Sequence, residues 1–589
     1  MNQLYTPWGE KIDKDNVLPE YPRPQLRRDS YLSLNGFWDY GINGNGAMDS
    51  IQEKILVPFS PEAALSGVNR FVSPDEFLIY RRKVVLPEGF NHGRLILHFG
   101  AVDQEAEVFI DNRSVGTHLG GFTAFSFDIT DHVEKTEFTI GVVVKDLTDT
   151  ADRQTGKQRI KRGGIFYTPQ SGIWQSVWLE SVPEEHVRSF RLFADFDNRK
   201  LEIFFDTGGD TKSLPIGVRA FYQGKPVASA KTKSSHVVLD IKEWHPWTPE
   251  KPDLYDLEIE YGEDRIKSYF GMRKFERKPD DFGIMRFYLN NKPYFLSGVL
   301  DQGYYPDGLL TPPADEAMEN DIRLMKKMGF NFIRKHIKIE PMRWYYHCDR
   351  LGIIVWQDMV SGWEANTMVK NTVLALLGVH FKDTRYAHFG RLGQVGRDQF
   401  EVEMNETLAQ LQNVVSISTW VPFNEAWGQF DSLRIERKVR EEDPTRLVDH
   451  ASGWSDQKGG DYCSRHIYFR KIRFHKKDGK KRILALTEFG GYSLLLPEHS
   501  FNPDKVYGYR KYSDEDALGI AVNDLYMNQV IPEIKKGLSV LVYTQLSDVE
   551  DEVNGFVTYD RKVEKIKPEE MRDINKHLFN SFKNSLKNR

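Results

Sequence analysis

Two glutamates that follow apolar runs are the residues in this sequence best suited to chemistry. The run at residues 414–421 precedes Glu425, and the run at residues 483–487 leads directly into Glu488. Such runs are typical of buried strands, so each carboxyl group would be partly removed from water. Burial raises a carboxyl pKa because it penalises the charged form, and a general acid working near neutral pH needs a raised pKa. Taken alone, the stretch around Glu425 fits a strand end at the surface equally well.

Two carboxyl groups that face each other across a sugar-sized cleft can hydrolyse a glycosidic bond. Groups roughly 5–5.5 Å apart lead to retention through a covalent intermediate, and groups roughly 6.5–9.5 Å apart lead to inversion. Aromatic side chains that could stack on a sugar lie nearby in the sequence, although core packing is the commoner role of each alone. They are Trp420, Trp427, Trp454, Tyr468 and Tyr543.

The composition describes a globular protein of several domains. The chain has 589 residues, 28% of them charged, and a net charge of −5, which gives no electrostatic reason to expect nucleic acid. Its two cysteines, Cys348 and Cys463, are too few for a disulfide framework or a four-cysteine metal site. Neither a signal-like N-terminus nor an apolar run of about 18 residues is visible, so we expect a soluble, cytoplasmic protein.

The elements that would position the two glutamates fall into three predicted regions. Residues 1–183 contain many short strands separated by turns, which predicts a β jelly roll, with residues 172–179 as its closing strand. Residues 184–275 continue as short strands and predict an immunoglobulin-like β-sandwich. From residue 276 to 589, strand-like runs alternate with helical ones, which predicts a (β/α)8 TIM barrel.

The barrel prediction brings Glu425 and Glu488 to the same rim, because chemistry in such barrels lies at the C-terminal ends of the strands. The two glutamates follow the fourth and seventh predicted strands. Predicted helices include one that begins around Pro312-Pro313 and ends before Gly329, and another at residues 397–412. The polar residues at predicted strand ends are Asp301, Gln302, Arg334, His336, Asp358, Asn424, Glu425, Asp449, His450, His466, Tyr468, Glu488 and Gln545.

Several motifs resemble those of glycoside hydrolase family 2, the family of β-galactosidases, β-glucuronidases and β-mannosidases. The resemblance covers nearly the whole chain and implies a jelly-roll sugar-binding domain, an immunoglobulin-like domain and a (β/α)8 catalytic domain, in that order. The segments that carry it are Arg28 with residues 34–38, and residues 120–125, 171–175, 252–255, 271–273, 413–425, 466–468 and 487–491.

The resemblance also implies roles for individual residues in a retaining double displacement. Glu425 would be the acid/base, Glu488 the nucleophile, Asn424 a ligand of the sugar's 2-hydroxyl, and Tyr468 a support for the nucleophile. The expected substrate-binding residues are Asn424, Arg334, His336, Asp358, Trp427, His466, Tyr468, Tyr543 and Gln545. This sequence departs from the family pattern at Val414-Val415, at His336 and at residues 356–358.

The absence of two motifs of the family narrows the choice of substrate. Bacterial β-glucuronidases carry Asn-x-Lys late in the barrel, whereas Asn290-Asn291-Lys292 lies before the first barrel strand and is typical of a turn. The residues before Glu425 also differ from the usual β-mannosidase motif. A β-galactosidase-like exo-enzyme is therefore the default expectation. The alternatives are a β-glucosidase, an α-L-arabinopyranosidase, a transglycosylase, or, from another class, a non-catalytic carbohydrate-binding protein.

Two long loops are predicted to wall the pocket and make the enzyme exo-acting. They are residues 360–396, with Trp363 and Glu364, and residues 489–514, with Tyr507, Tyr509 and Tyr512. No cofactor or metal is expected to be required. An acidic run (Asp548, Glu550, Asp551 and Glu552) could bind Ca²⁺ or Mg²⁺, but such runs are usually solvated, as is the basic run at residues 470–482. The expected partner is a carbohydrate, with no nucleic acid or membrane, and homo-oligomerisation is left open.

Overall fold

The computed structural model describes residues 3–49, 51–209, 214–362 and 381–587. Its N-terminal part is a β-sandwich, as the sequence predicts. A six-stranded and a four-stranded antiparallel sheet share one apolar core, which includes Trp38, Val142 and Leu179. The strands are β1 Tyr31–Ser33, β2 Gly36–Asn43, β3 Glu53–Val57, β4 Phe77–Val85, β5 Arg94–Phe99, β6 Val102–Asp103, β7 Glu105–Ile110, β8 Arg113–Leu119, β9 Phe125–Asp128, β10 Glu137–Lys145, β11 Gly172–Ile173 and β12 Val177–Val182.

The predicted closing strand at residues 172–179 is in fact two strands. Residues 174–176 lie between the two strands and belong to neither. β11 pairs with β6, and β12 pairs with β1 and β5.

A second sandwich follows, with its own core, and confirms the predicted architecture. Three strands face four others around residues such as Ile203, Val218 and Leu257. Its strands are β13 Val187–Asp195, β14 Lys200–Thr207, β15 Ile216–Tyr222, β16 Lys225–Thr232, β17 His236–Asp240, β18 Tyr255–Tyr261 and β19 Asp264–Phe270. A small sheet of β20 Phe275–Pro279, β21 Met285–Leu289 and β22 Lys292–Pro293 leads to the barrel. Asn290 and Asn291 form the turn of this sheet, as predicted.

The C-terminal part is an eight-stranded parallel barrel whose sheet is open between its fifth and sixth strands. Most of its strands are buried on both faces, as in parallel sheets covered by helices. In chain order the barrel strands are β23 Leu296–Asp301, β24 Phe332–Lys335, β25 Ile354–Asp358, β26 Ile417–Val421, β27 Leu447–Val448, β28 Tyr462–Ile467, β29 Ile483–Gly490 and, after a pair of short strands β30 Tyr492–Leu494 and β31 Arg510–Tyr512, β32 Leu538–Thr544.

The helices around the barrel agree with the predicted alternation but differ at their ends. The first begins at Asp315 rather than at the two prolines, because Ala314 is still extended, with φ −156° and ψ 161°. Gly329, with φ +82°, follows its end, as predicted. The described helices are α1 Asp315–Lys327, α2 Met342–Leu351, α3 Gln394–Leu411, α4 Ser432–Glu442, α5 Lys476–Gly479, α6 Glu515–Asp524, α7 Ile531–Ile534 and α8 Pro568–Ser585, with a π-helical turn at Leu525–Val530.

Within the described residues, no helix combines the length and apolar character needed to cross a membrane. Trp363 and Glu364, which the sequence assigns to a loop that walls the pocket, lie outside the described residues.

Candidate active site

Glu425 lies in a tight turn beyond the fourth barrel strand, not at the strand end that the sequence predicts. β26 ends at Val421, and Glu425 and Ala426 then adopt φ of +50° and +64°. Left-handed backbone costs free energy in residues other than glycine and persists only when neighbouring contacts enforce it. Here Ser452 supplies such contacts: its carbonyl accepts from the Glu425 amide at 3.0 Å and its amide donates to Phe423 at 2.8 Å. The turn therefore fixes where the Glu425 carboxyl group points.

Glu488 projects from within the seventh barrel strand. The Tyr468 hydroxyl donates a hydrogen bond of 2.6 Å to Glu488 Oε2, and Arg334 Nη1 lies 3.5 Å from Oε1. Both neighbours stabilise a negative charge on this carboxylate. These contacts suit a group that must be ionised in order to attack.

The two glutamates approach each other closely. One carboxylate oxygen from each, together with a ring nitrogen of His466, lie within 4.8 Å of one another. This spacing fits the short carboxyl separation of retaining glycosidases, roughly 5–5.5 Å, and not the longer separation of inverting ones. The pair can therefore support covalent catalysis on a sugar.

Arg334 organises the floor of the site. Its guanidinium makes a two-pronged ion pair with Asp358, at 2.9 and 3.0 Å, and donates to Asn424 Oδ1 at 2.9 Å. His336 Nδ1 lies 2.7 Å from Asp358 Oδ2. The structure thus brings together four of the predicted substrate-binding residues. The side-chain nitrogen of Asn424 has no partner among the described residues, which leaves a donor available to a ligand.

His466 stands between the two glutamates. Its Nδ1 lies 2.7 Å from Glu425 Oε1 and 3.4 Å from Glu488 Oε2, and its Nε2 lies 3.2 Å from the Ser452 hydroxyl. Gly453 allows this position, because a β-carbon there would fall 2.5 Å from the imidazole ring. Burial lowers the His466 pKa to about 4, so the neutral ring can donate at one nitrogen and accept at the other.

Burial also sets the protonation of the pair. It raises the Glu425 pKa to about 7, although the positive charges of Lys157 and Arg334 oppose the shift. The Glu488 pKa is also raised by burial and by the charge of Glu425, while His466 and Arg334 counteract this. For Asp358, burial alone would raise the pKa, but Arg334 and His336 hold it below its usual value. A neutral Glu425 beside an ionised Glu488 is the arrangement that acid and nucleophile require.

Two predicted substrate-binding residues, Tyr543 and Gln545, make their side-chain hydrogen bonds to residues other than the two glutamates. Tyr543 is fully buried; its hydroxyl accepts from the Tyr492 amide at 3.2 Å and its ring stacks on Phe556 at 4.4 Å. Gln545 hydrogen-bonds Gln302 and Asn554. Tyr543 lies near the end of β32 and Gln545 directly after it, and sequence position alone does not separate a packing residue from one that faces the pocket.

Lys157, which the N-terminal sandwich contributes to this region, is not among the residues predicted from the sequence. Its ammonium lies 4.8 Å from the ring centre of Trp427, two positions after Glu425. It comes from the long connection between β10 and β11. A connection of more than 20 residues without strands is the signal that could have drawn attention to it.

The predicted loop at residues 489–514 does reach the site. Tyr509 stacks on Tyr468 with ring centres 3.8 Å apart, and Tyr468 in turn bonds Glu488. Tyr507 packs against Tyr509 at 5.9 Å. These aromatic rings form one wall beside the nucleophile.

The acidic run after β32 is buried and partnered, which corrects the expectation that it is solvated. Asp548 pairs with Lys565 at 2.7 Å. Arg162 lies 3.3 Å from Glu550 and 3.1 Å from Asp551. Glu552 accepts from the Tyr167 hydroxyl at 2.6 Å. These contacts already supply a donor to each of the four carboxylates.

The described residues contain one group with metal-ligand spacing, and it is the site itself: Glu425, His466 and Glu488. Arg334 and Lys157 place positive charge on the same carboxylates. Such charges disfavour a bound cation. The expectation that no metal is required stays a prediction.

Three models of one family match the chain in the order of its regions. Their descriptions are "Glycosyl hydrolases family 2, sugar binding domain" for residues 68–183, "Glycosyl hydrolases family 2" for residues 205–273, and "Glycosyl hydrolases family 2, TIM barrel domain" for residues 284–480. The last match includes Glu425 and ends before Glu488.

The relatives carry more than one activity in their names. The chain is 25% identical to a β-galactosidase of Thermoanaerobacter pseudethanolicus over 56% of this chain and 47% of that protein. It spans about half the length of the curated relatives that it matches first. Among solved structures, a β-glucuronidase of an uncultured Clostridium sp. has a TM-score of 0.73 at 17% identity, with 94% of this chain and 99% of that one covered. A family 2 β-galacturonidase of Eisenbergiella tayi has a TM-score of 0.70 at 16% identity, with 95% and 98% covered. At these identities the two structures show the shared fold.

Proposed function

Because this chain belongs to glycoside hydrolase family 2, we propose that it is a retaining exo-β-glycosidase that removes terminal sugars by double displacement. The observation that carries the proposal is the pair of buried glutamates whose oxygens lie within 4.8 Å of each other. Such a pair fits an acid and a nucleophile on the two sides of a glycosidic bond.

In the first step, Glu488 attacks the anomeric carbon while Glu425 gives its proton to the leaving oxygen. The bond between the anomeric carbon and that oxygen breaks, and a glycosyl ester forms on Glu488. Tyr468 and Arg334 hold the Glu488 carboxylate for attack through the contacts described above. Asn424, fixed by Arg334, is proposed to bind the sugar's 2-hydroxyl.

In the second step, the Glu425 carboxylate takes a proton from water, which attacks the same carbon and frees Glu488. Two inversions give net retention of configuration. A pKa of about 7 suits Glu425 to both roles, because the group is readily protonated and deprotonated near neutrality.

We propose a neutral β-galactoside as the preferred substrate. The absence of Asn-x-Lys late in the barrel supports this choice, as does the β-galactosidase among the relatives. A β-uronoside is the second candidate, because relatives by fold are named β-glucuronidase and β-galacturonidase.

A panel of 4-nitrophenyl glycosides tests both the activity and the sugar. It should contain the β-galactoside, β-glucoside, β-glucuronide, β-galacturonide, β-mannoside and α-L-arabinopyranoside. We expect the highest kcat/KM for the β-galactoside. A preference for either uronide would replace the sugar assignment and keep the glycosidase. Inactivity on all six, and on natural disaccharides, would contradict the proposal.

The mechanism is tested separately by the configuration of the first product. Proton NMR of the reaction should show the β-anomer before mutarotation, whereas the α-anomer would mean inversion. Repeating the reaction with an added acceptor sugar distinguishes hydrolysis from transglycosylation, since both pass through the same ester. Hydrolysis as the main outcome requires free sugar to dominate even with acceptor present.

A further inference from the structure

Lys157 is a buried cation whose ammonium makes no hydrogen bond or ion pair with any residue that the structure describes. The residue is 6% exposed. Its ammonium lies 4.8 Å from the ring centre of Trp427 and 6.0 Å from that of Phe166. Cation–π contacts recover only part of the cost of removing an ammonium from water. A partner that arrives with a ligand would complete its environment.

The segment that carries Lys157 is fixed on the barrel. The amides of Thr155 and Gly156 both donate to the Ser361 carbonyl, at 3.1 and 2.8 Å. The Lys157 carbonyl accepts from the Tyr167 amide at 3.0 Å, and the Gln158 side chain donates to Asp103 at 2.9 Å. The N-terminal sandwich therefore delivers this ammonium to a set position in the barrel mouth.

Resting on the glycosidase function proposed above, we propose that Lys157 is a sugar-binding residue, which donates a hydrogen bond to a hydroxyl of the terminal sugar. In this proposal, residues of both the N-terminal sandwich and the barrel form the sugar-binding site. Lys157 touches the sugar beside the acid Glu425, and it leaves the reacting bonds to the two glutamates.

The charges around Lys157 favour a hydroxyl over a carboxylate as its partner. Burial lowers the pKa of Lys157. The negative charges of Glu552, Glu488 and Glu425 oppose this shift, in that order of strength, and the positive charge of Arg334 adds to it. Arg334 is already paired with Asp358. A sugar carboxylate would enter a space where acids outnumber free cations, and like charges repel. A neutral hydroxyl can accept from Lys157 without that penalty.

Lys157 also influences Glu425 at a distance. Among the charged groups that shift the Glu425 pKa, Lys157 has the strongest effect and lowers it, Arg334 also lowers it, and Glu552 raises it. His466 and Glu488 lie beside Glu425, and Tyr468, Tyr507 and Tyr509 are the other titratable groups that interact with it. Removing the positive charge of Lys157 would raise the pKa of the acid. This gives a readout that a purely structural role of Lys157 would not produce.

The test compares Lys157→Met, which keeps the length of the chain and removes the charge, with Lys157→Arg, which keeps the charge. Lys161→Gln is the matched control, since Lys161 is exposed in the same connection. With the best neutral glycoside, Lys157→Met should lose kcat/KM by about tenfold or more, mainly through KM. Lys157→Arg should recover part of the loss, and Lys161→Gln should behave as wild type.

Two further readouts make the result specific. The basic limb of kcat/KM against pH should move to higher pH by roughly 1 unit in Lys157→Met. In a series of 3-, 4- and 6-deoxy substrates, the penalty of Lys157→Met should vanish for the one analogue that lacks the contacted hydroxyl, as a double-mutant cycle requires. Unchanged thermal midpoints would exclude a folding defect.

Wild-type kinetics in Lys157→Met, or an equal penalty on every deoxy analogue with an unmoved pH limb, would overturn the inference. A penalty confined to uronides would also overturn it, in favour of a carboxylate-binding lysine. The proposed function fails independently, if the wild-type protein cleaves no glycoside. An active wild type with an indifferent Lys157 would remove only this inference.

Discussion

Two sets of buried acids lie at the mouth of this barrel, and they differ in their partners. In the acidic run, Asp548 pairs with Lys565, and Arg162 bridges Glu550 and Asp551. Burial raises the pKa of Asp548 and of Glu550 to about 6 only, because these cations oppose the shift. Asp548 and Glu550 are therefore largely ionised near pH 7, and each lies beside a cation.

Glu425 and Glu488, the proposed catalytic pair, have no lysine or arginine to themselves among the described residues. Glu425 has a neutral imidazole as its hydrogen-bonding partner and a pKa of about 7, and Glu488 shares Arg334 with Asp358. An acid paired with its own cation stays ionised and stabilises the fold. A buried acid without such a cation has a higher pKa, so it can gain and lose a proton near neutral pH. The hydrogen-bonding and ion-pair partners of an acid therefore indicate its chemistry better than the number of acids in its segment.

Replacing the nucleophile is expected to produce the largest effect. Glu488→Gln keeps the shape of the side chain but cannot form the glycosyl ester, so kcat/KM should fall by about 10,000-fold or more. Steady-state hydrolysis of the best aryl glycoside measures this. Asp551→Asn, in the acidic run, is the comparison variant and should retain nearly all activity per folded molecule. Unchanged hydrolysis by Glu488→Gln would remove the nucleophile assignment.

Replacing the acid should have a smaller and more selective effect. Glu425→Ala should lower kcat by roughly a hundredfold to ten-thousandfold for a poor leaving group. A dinitrophenyl glycoside needs no proton for departure, so its glycosylation step should be nearly spared. Added azide should then restore turnover and give a glycosyl azide, because a small anion can attack without a general base. An equal loss for both leaving groups, without azide rescue, would argue against Glu425 as the acid/base.

The acidic run should respond in stability rather than in chemistry. Asp548→Asn leaves Lys565 charged and buried without its carboxylate, which should cost about 3 kcal/mol of unfolding free energy. Two backbone carbonyls, of Leu494 and Val553, still accept from that ammonium and limit the loss. Denaturant unfolding followed by tryptophan fluorescence measures the change, and adding Lys565→Met should reverse much of it. A large drop in kcat of fully folded Asp548→Asn would show that the acidic run also contributes to catalysis, contrary to this prediction.

The order of the two sandwiches and the barrel could be predicted from the sequence, because strands and helices have different periods of apolar residues. Strand and helix periods separate the barrel from the two sandwiches, and the strand count alone brings Glu425 and Glu488 to one rim. Element ends were less predictable. The fourth barrel strand stops at Val421, since the left-handed turn at Glu425 and Ala426 depends on Ser452, far along the chain.

Residues that act through distant contacts could not be predicted. Lys157 belongs to the N-terminal sandwich, and the residue types around it do not indicate that its side chain reaches Trp427 in the barrel. Tyr543 and Gln545 lie at the end of an apolar run, as Glu488 does, yet their side chains hydrogen-bond to other protein groups. Burial of the acidic run depends on Arg162 and Lys565, which lie in separate segments. Pattern thus finds the rim of the barrel, and three-dimensional partners decide which rim residues face the sugar.

The smallest expected effect is the pH dependence that follows from the same contrast. Glu425 must be protonated to act as acid, so kcat/KM should fall as pH rises through about 7. Glu488 must be ionised, so activity should also fall as pH drops through its pKa, which burial raises above the usual value. In Glu425→Gln, assayed with a dinitrophenyl glycoside, the basic limb should disappear and the acidic limb should stay. A basic limb that persists in this variant would belong to another titratable group. Glu425 would then not be the acid that exchanges a proton near pH 7.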